Sequence, residues 1–348
     1  MADAAIRRAM LKGALSLPRP ILRLASGGAA VYRGGRTLDP GLQFLAHRGR
    51  RLRPLEALTP QEARSAAAAR LRLVEGGREP GVACEPVAIP SPAGEIAARC
   101  YRRAGQDLEA PLLVWAHMGG GVIGDLETAH AFSSLLAGAA RCAVLSVDYR
   151  LAPEHRRPGG LEDVLAAYAW ARRNAGRFGA PDGRVAIGGE CMGADFAAVL
   201  CQEMKRLGEP QPTLQLLLCP IVDVASETQS MHVHAEAWPL SRSLLDWFVG
   251  HLMAPEDDPA DPRRSPIRSI DLRGLAPAVI ATAGFDPLAD QGEAYARRLQ
   301  AAGVPVTYRC YDALAHGFSA FTGAVPAADA ACREIAGLLR GAFEARLA

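Results

Sequence analysis

The sequence predicts an α/β fold: a mostly parallel sheet of eight strands with helices on both faces. Three observations carry that reading. From residue 82 onward, short apolar or β-branched runs alternate with longer stretches whose apolar residues recur at helical spacing. The turn-rich Pro90-Ser91-Pro92-Ala93-Gly94 separates the first two runs by too little chain for a crossover, so they form an antiparallel hairpin ahead of the parallel part. The 348 residues allow two or three domains or a single large α/β unit with an inserted piece, and a composition 49% hydrophobic and 22% charged excludes disorder for most of the chain. The expected strands are 82–90, 95–102, 111–117, 142–149, 184–189, 214–221, 277–284 and 304–311. The expected helices are 126–140, 160–175, 192–206, 289–302 and 327–346.

Two segments stand outside the alternation. In 1–75, Thr59-Pro60-Gln61-Glu62 has the Thr-x-x-Glu capping box with Pro at the first helical position, which predicts a helix over 60–73. In 223–262, a helical stretch near 241–253 runs into the acidic, proline-broken Pro255-Glu256-Asp257-Asp258-Pro259. Sheets of this type bind ligands outside the carboxyl ends of their strands, and long insertions there serve as lids. The expected organisation is therefore an N-terminal cap segment (1–75), a core of 76–222 with 263–348, and an inserted cap segment (223–262).

Charge and cysteine content exclude several classes. The net charge of +2 argues against general nucleic-acid binding. It is unevenly spread: residues 1–72 hold 13 Arg and Lys12 against four acids, leaving −8 for the rest, and this surplus reads as a solvated arginine-rich face. No apolar run approaches the roughly 18–20 residues that span a bilayer, the longest being Leu214–Val222 with Gln215 inside it. Asp3 ahead of the first basic residues, and Pro18 and Pro20 in the following apolar stretch, make a poor secretory signal, so a cytoplasmic protein is expected. Cys84, Cys100, Cys142, Cys201, Cys219, Cys310 and Cys332 form no CxxC pair and read as reduced core residues.

Four motifs carry chemistry. After the run ending at Gly189, Gly189-Glu190-Cys191-Met192-Gly193 has the G-x-nucleophile-x-G form of a sharp strand-to-helix elbow, with cysteine at its centre. After Leu112–Ala116, His117-Met118-Gly119-Gly120-Gly121-Val122-Ile123-Gly124-Asp125 can turn several backbone N–H groups toward one point, where each oxyanion donor is worth about 3–4 kcal/mol. Gly284-Phe285-Asp286-Pro287-Leu288 and Ala315-His316-Gly317-Phe318 place an acid and an imidazole at the ends of strands, in the chain order nucleophile, acid, base.

Residues from about 80 to 320 resemble the hormone-sensitive-lipase (bacterial carboxylesterase) family of α/β-hydrolases. The likeness rests on His117–Asp125, on Val147-Asp148-Tyr149-Arg150-Leu151-Ala152-Pro153-Glu154-His155, on Asp286-Pro287-Leu288 and on His316-Gly317-Phe318. The resemblance implies an eight-stranded α/β-hydrolase core with a helical cap, hydrolysis of short or medium acyl esters, and frequent dimers. It puts Cys191 in the nucleophile position, Asp286 as acid and His316 as base, with Gly119, Gly120 and the Met192 backbone as oxyanion donors. The sequence departs from the family where Cys191 replaces serine, where Met118 replaces the first glycine of the loop, and where the elbow reads Glu190-Cys191-Met192-Gly193-Ala194-Asp195. The neighbours have changed along with the nucleophile, so the cysteine reads as native.

A thiolate is the nucleophilic form of cysteine, and a helix N-terminus beside an imidazole favours it. The expected chemistry is attack by Cys191 on the acyl carbonyl of a carboxylic ester, or of a thioester or lactone, to give an acyl-thioester enzyme, resolved by water or by an amine, alcohol or thiol. A rival reading keeps the scaffold as a small-ligand binder without turnover, but such a protein has no need of His316 or Asp286. Met118, Trp238, Trp247 and Phe248 are candidate lining residues for the acyl pocket. His232 and His234 have no Cys, Asp or Glu at metal-ligand spacing, so no metal is expected, and His130 and His155 read as structural. The glycines lack a following Lys-Ser or Lys-Thr and the dinucleotide G-x-G-x-x-G spacing, so no cofactor is expected.

Overall fold

The computed structural model describes residues 2–103, 105, 111–180 and 183–345. Eight strands form the main sheet: β1 (Val82–Ser91), β2 (Gly94–Arg103), β3 (Leu112–Ala116), β4 (Ala143–Val147), β5 (Val185–Glu190), β6 (Gln215–Leu218), β7 (Ala278–Phe285) and β8 (Val306–Ala315). Their spatial order is β8-β7-β6-β5-β3-β4-β2-β1. β1 and β2 pair antiparallel from Val82 opposite Arg103 to Ser91 opposite Gly94, which makes 90–94 the expected tight hairpin. β2 is also antiparallel to β4, and the remaining neighbours are parallel.

Every residue of β3, β4, β5, β6 and β7 is buried, because helices cover both faces, and this is why those strands read as unbroken apolar runs. β1 lies at the edge, half exposed, and there tolerates Pro86 and Pro90, which lack a ladder N–H. On one face α5 (His130–Ala139) and α11 (Pro326–Glu344) pack Phe132, Leu136, Ile335 and Leu339 around Trp115. On the other, α6 (Gly159–Asn174), α7 (Met192–Leu207) and α10 (Ala289–Ala301) pack Tyr168, Phe196, Leu200 and Tyr295 around Ile187. Each predicted helix is present; the last was expected to reach residue 346, which lies outside the described residues.

The N-terminal segment is more structured than its sequence suggested. Besides the expected helix α4 (Pro60–Val74), whose capping box forms between Thr59 and Glu62, it contains α1 (Ala2–Leu15), α2 (Arg19–Leu24) and α3 (Pro40–Gly49). Asp39 caps α3 by accepting the N–H groups of Gly41 and Leu42 at 2.8 and 3.2 Å, followed by Pro40 at the first helical position. The basic surplus is only partly a solvated face. Arg64 of α4 donates to Val122 O and Ala152 O, both at 2.8 Å, and pairs with Glu154 at 2.6 Å, so α4 is fastened to the glycine-rich loop.

The inserted segment contributes α8 (Gln229–Val233) and α9 (Arg242–Leu252), the latter one residue inside the expected 241–253 at each end. Ser243 on α9 donates to Glu56 at 2.7 Å, joining the two segments that stand outside the alternation. None of the described helices is long and apolar enough to cross a membrane.

Candidate active site

The elbow forms where β5 stops at Glu190 and α7 starts at Met192. Cys191 between them has φ +56° and ψ −114°, a conformation that L residues rarely adopt and that the surrounding contacts must enforce. Its N–H donates to Leu218 O at 2.9 Å, and its carbonyl accepts the N–H groups of Ala194 and Asp195 at 3.1 Å. The flanking glycines are sterically required: a Cβ on Gly189 would lie 2.2 Å from the Gly193 carbonyl carbon, and one on Gly193 2.1 Å from Ala116 O. The Cys191 side chain is thereby held at the N-terminus of α7, where the helix dipole favours negative charge.

The loop after β3 takes the shape its glycines allow. Gly119, Gly120 and Gly121 have φ of +129°, +62° and +72°, and a Cβ on Gly119 would meet Ile123 O at 2.0 Å. Among the described residues, no acceptor takes the N–H of Gly119, Gly120 or Met192. His117 steadies the loop from beneath. Its Nδ1–H donates to Met118 O at 2.8 Å, and its ring stacks on Tyr149 at 4.2 Å, whose hydroxyl donates to His117 O at 2.8 Å. Burial pushes His117 down to about 4, so it serves as a neutral strut at ordinary pH.

Acid and base come from the ends of β7 and β8. His316 Nδ1–H donates to Asp286 Oδ2 at 2.8 Å, while Asp286 Oδ1 accepts the Leu288 N–H at 2.8 Å. Asp286 is fully buried and His316 nearly so. Burial drives the imidazole toward its neutral form, but the Asp286 charge and then the Cys191 sulfur outweigh it, leaving His316 titrating well above its ordinary value. The structure thus brings Cys191, His316 and Asp286 from three separate strand ends into one electrostatic unit.

Cys219, expected to be a core thiol, is buried but belongs to this cluster. It follows β6 with φ +41°, and its sulfur, an Asp286 oxygen and a His316 nitrogen all lie within 4.8 Å of one another. Burial, then the nearby Asp286 and Glu190 charges, push its thiol well above the ordinary range, so it stays protonated. Cysteine, aspartate and histidine at that spacing have the make-up of a metal site, but Asp286 and His316 already satisfy each other directly. Cys84 and Cys310, also expected in the core, are only half-buried.

The candidate pocket residues divide. Phe248 of α9 lies against the loop, its ring atoms 2.2–2.5 Å from where a Gly120 Cβ would be, and Trp247 meets Phe248 edge-on at 5.4 Å. The Met118 sulfur is 3.1 Å from the Cβ position of Gly317, next to His316. Trp238 is not with them: it fills the space over Gly49 and packs on Phe321 at 5.4 Å. His232 pairs with Glu227 at 3.3 Å, whereas His234 is buried against Phe285, so the His-x-His pair splits between surface and interior. His130 accepts or donates a 3.0 Å hydrogen bond with Tyr101, as a structural residue would.

Two buried acids flank the elbow, and spacing alone did not reveal their partners. Asp195 on α7 pairs with buried Arg157 at 2.5 Å. Glu190 accepts a short hydrogen bond from Ser319, three residues beyond His316.

An eight-stranded sheet with this strand order, a strained elbow at the end of its central strand and an acid and imidazole from the following strand ends define an α/β-hydrolase. The chain belongs to that family, in its hormone-sensitive-lipase-like branch: a model of the α/β-hydrolase fold matches residues 113–320. It is 43% identical over 311 residues to the carboxylic ester hydrolase LipN of Mycobacterium tuberculosis, covering 87% of this chain and 82% of that protein. It is also 30% identical to the ethyl acetate hydrolase of Pseudomonas putida over 79% of this chain and 88% of that one. Among solved structures, an ester hydrolase from the metagenome of Lake Arreo, complexed with a bipyridine phosphonate derivative, superimposes with a TM-score of 0.85 at 37% identity, covering 88% of this chain and 99% of that one.

Proposed function

We propose that the protein hydrolyses carboxylic esters through a Cys191-His316-Asp286 triad and an acyl-thioester enzyme. His316 Nε2 takes the thiol proton as the Cys191 sulfur bonds to the acyl carbon. The resulting oxyanion is held by the N–H groups of Gly119, Gly120 and Met192. Its collapse breaks the bond to the leaving oxygen, which takes the proton back from His316 and departs as the alcohol. Water, deprotonated by His316, then attacks the thioester, releasing the carboxylic acid and restoring the thiol. Asp286 fixes the imidazole orientation and stabilises its cationic form throughout.

The observation that carries this reading is the 2.8 Å His316–Asp286 hydrogen bond beside the sulfur of Cys191. Support for the reaction class comes from the names of the relatives. In the same reading, 1–75 and 223–262 act together as a cap, supported by Phe248 on Gly120, Arg64 on the loop carbonyl of Val122, and the Ser243–Glu56 bond.

The test is turnover of p-nitrophenyl esters of increasing acyl length. Cys191→Ala is expected to lose at least about a thousandfold in kcat/KM, as removal of an acyl-transfer nucleophile does. Cys191→Ser is expected to retain measurable esterase activity, because the oxyanion donors and the imidazole are unchanged. Turnover by Cys191→Ala near the wild-type rate would refute the triad. Release of acyl amide in place of acid when an amine is added would reassign the second half-reaction to transfer.

A further inference from the structure

We propose that Glu190 is a positioning residue for this site: a second buried carboxyl group, anchored by Ser319, whose charge governs how firmly His316 holds the proton taken from Cys191. The inference rests on the triad reading and goes beyond it by adding a fourth ionisable member.

Glu190 ends β5 and is joined by one peptide bond to Cys191; it is 2% exposed. One carboxyl oxygen accepts from the Ser319 hydroxyl, and the other is buried with no hydrogen-bond partner among the described residues. Ser319 lies on the short turn Phe318–Phe321 that follows His316, so this bond ties the nucleophile's strand directly to the histidine's loop. A buried carboxylate whose charged form is supported only by Ser319, through its hydroxyl and more weakly its backbone N–H, is poorly stabilised, and an acid retained in that setting calls for a reason.

The groups facing it supply one. His316 and Asp286 act on Glu190 from the ends of β8 and β7; Cys219 after β6 and Cys332 on α11 are the thiols that feel its charge. Of these only His316 becomes cationic. Burial pushes Glu190 up to about 7, against the opposing pull of the Ser319 hydroxyl and His316. Near neutral pH the carboxyl therefore exchanges its proton, and it does so beside the imidazole that carries the proton from Cys191. Ionised Glu190 favours the imidazolium and with it the thiolate; neutral Glu190 removes that support.

The experiment measures the rate at which iodoacetamide alkylates Cys191 from pH 5 to 9. In that reaction the thiolate displaces iodide from carbon to form the thioether, read site by site by peptide mass spectrometry. Wild type is compared with Glu190→Gln, Ser319→Ala and His316→Ala, each checked for folding by circular dichroism. Glu190→Gln, fixed in the uncharged state, is expected to alkylate about threefold to tenfold more slowly at pH 7, with its acid limb moved to higher pH, a tenfold change matching one pKa unit. Ser319→Ala keeps the carboxyl but weakens its charged form, and is expected to move the limb the same way by less. It decides the matter if Glu190→Gln does not fold.

Profiles of Glu190→Gln and Ser319→Ala that superimpose on wild type, with His316→Ala displaced, would overturn the Glu190 assignment and leave the triad standing. A His316→Ala profile that superimposes on wild type would overturn both.

Discussion

Glu190 and Asp195 lie on either side of Cys191, both buried, and they are held by different partners. Asp195 faces a guanidinium: Arg157 reaches it at 2.5 Å, lies over the Phe196 ring at 5.5 Å and points a second nitrogen at the Met192 sulfur at 3.9 Å. The Arg157 N–H also donates to Leu252 O at 3.1 Å, so the pair fixes the start of α7 to the end of α9. Glu190 is held by Ser319 alone, and the cation that acts on it is the imidazole of the site itself; each acid keeps one oxygen without a hydrogen-bond partner among the described residues. Burial raises both carboxyls, Glu190 to about 7 and Asp195, against the pull of Arg157, to about 6, so at neutral pH Asp195 is mostly ionised while Glu190 is divided between its two forms. The partners differ in kind: the guanidinium beside Asp195 is permanently charged, whereas the imidazole that acts on Glu190 is charged only when the site holds a proton.

Removing the permanent partner should have the largest effect. Arg157→Met leaves Asp195 buried and unpaired, and is expected to destabilise the fold by about 3–5 kcal/mol in urea denaturation. The double variant Arg157→Met with Asp195→Leu should recover most of that loss, because it removes the stranded charge as well. A single variant within about 0.5 kcal/mol of wild type would mean that Asp195 takes up a proton at no cost, and the contrast with Glu190 would disappear.

The effect at Glu190 should be smaller and should depend on pH. Its carboxyl is raised from 4.5 to about 7 on folding, so the folded chain binds the extra proton in that window. The sign follows: the contribution to stability is fully present below about 4.5 and is lost as pH rises through about 7. Relative to Glu190→Gln, wild type is expected to lose stability on the order of 3 kcal/mol from pH 4.5 to above 7, measured by denaturation at several pH values. A difference that stays constant with pH would show that Glu190 does not titrate there.

Much of the site was legible in the chain because its parts are local motifs. The elbow, the glycine loop, Asp286 and His316 each announce themselves by glycine placement or position after an apolar run, and the structure gathers them because all four follow strands of one sheet. The strands were readable because burial on both faces leaves them uniformly apolar. What spacing could not reveal is pairing between distant residues. Arg157 and Asp195 are 38 positions apart, Glu190 and Ser319 are 129 apart, and nothing in either neighbourhood names the other. Cys219 was hidden for a related reason: a cysteine ending an apolar strand looks like core, and only the close approach of β6 to β7 places it beside Asp286. Asp39-Pro40 did carry a readable signal for α3, an N-cap followed by proline. Trp238 shows the converse, since aromatic character in an inserted segment does not indicate which surface it covers.

The most direct test of the thiol mechanism is intact-protein mass spectrometry within the first turnovers after mixing with a p-nitrophenyl ester. The mechanism predicts a transient mass increase equal to one acyl group, mapped to Cys191 and absent in Cys191→Ala. An acyl group found on another residue, or unchanged turnover by Cys191→Ala, would contradict it.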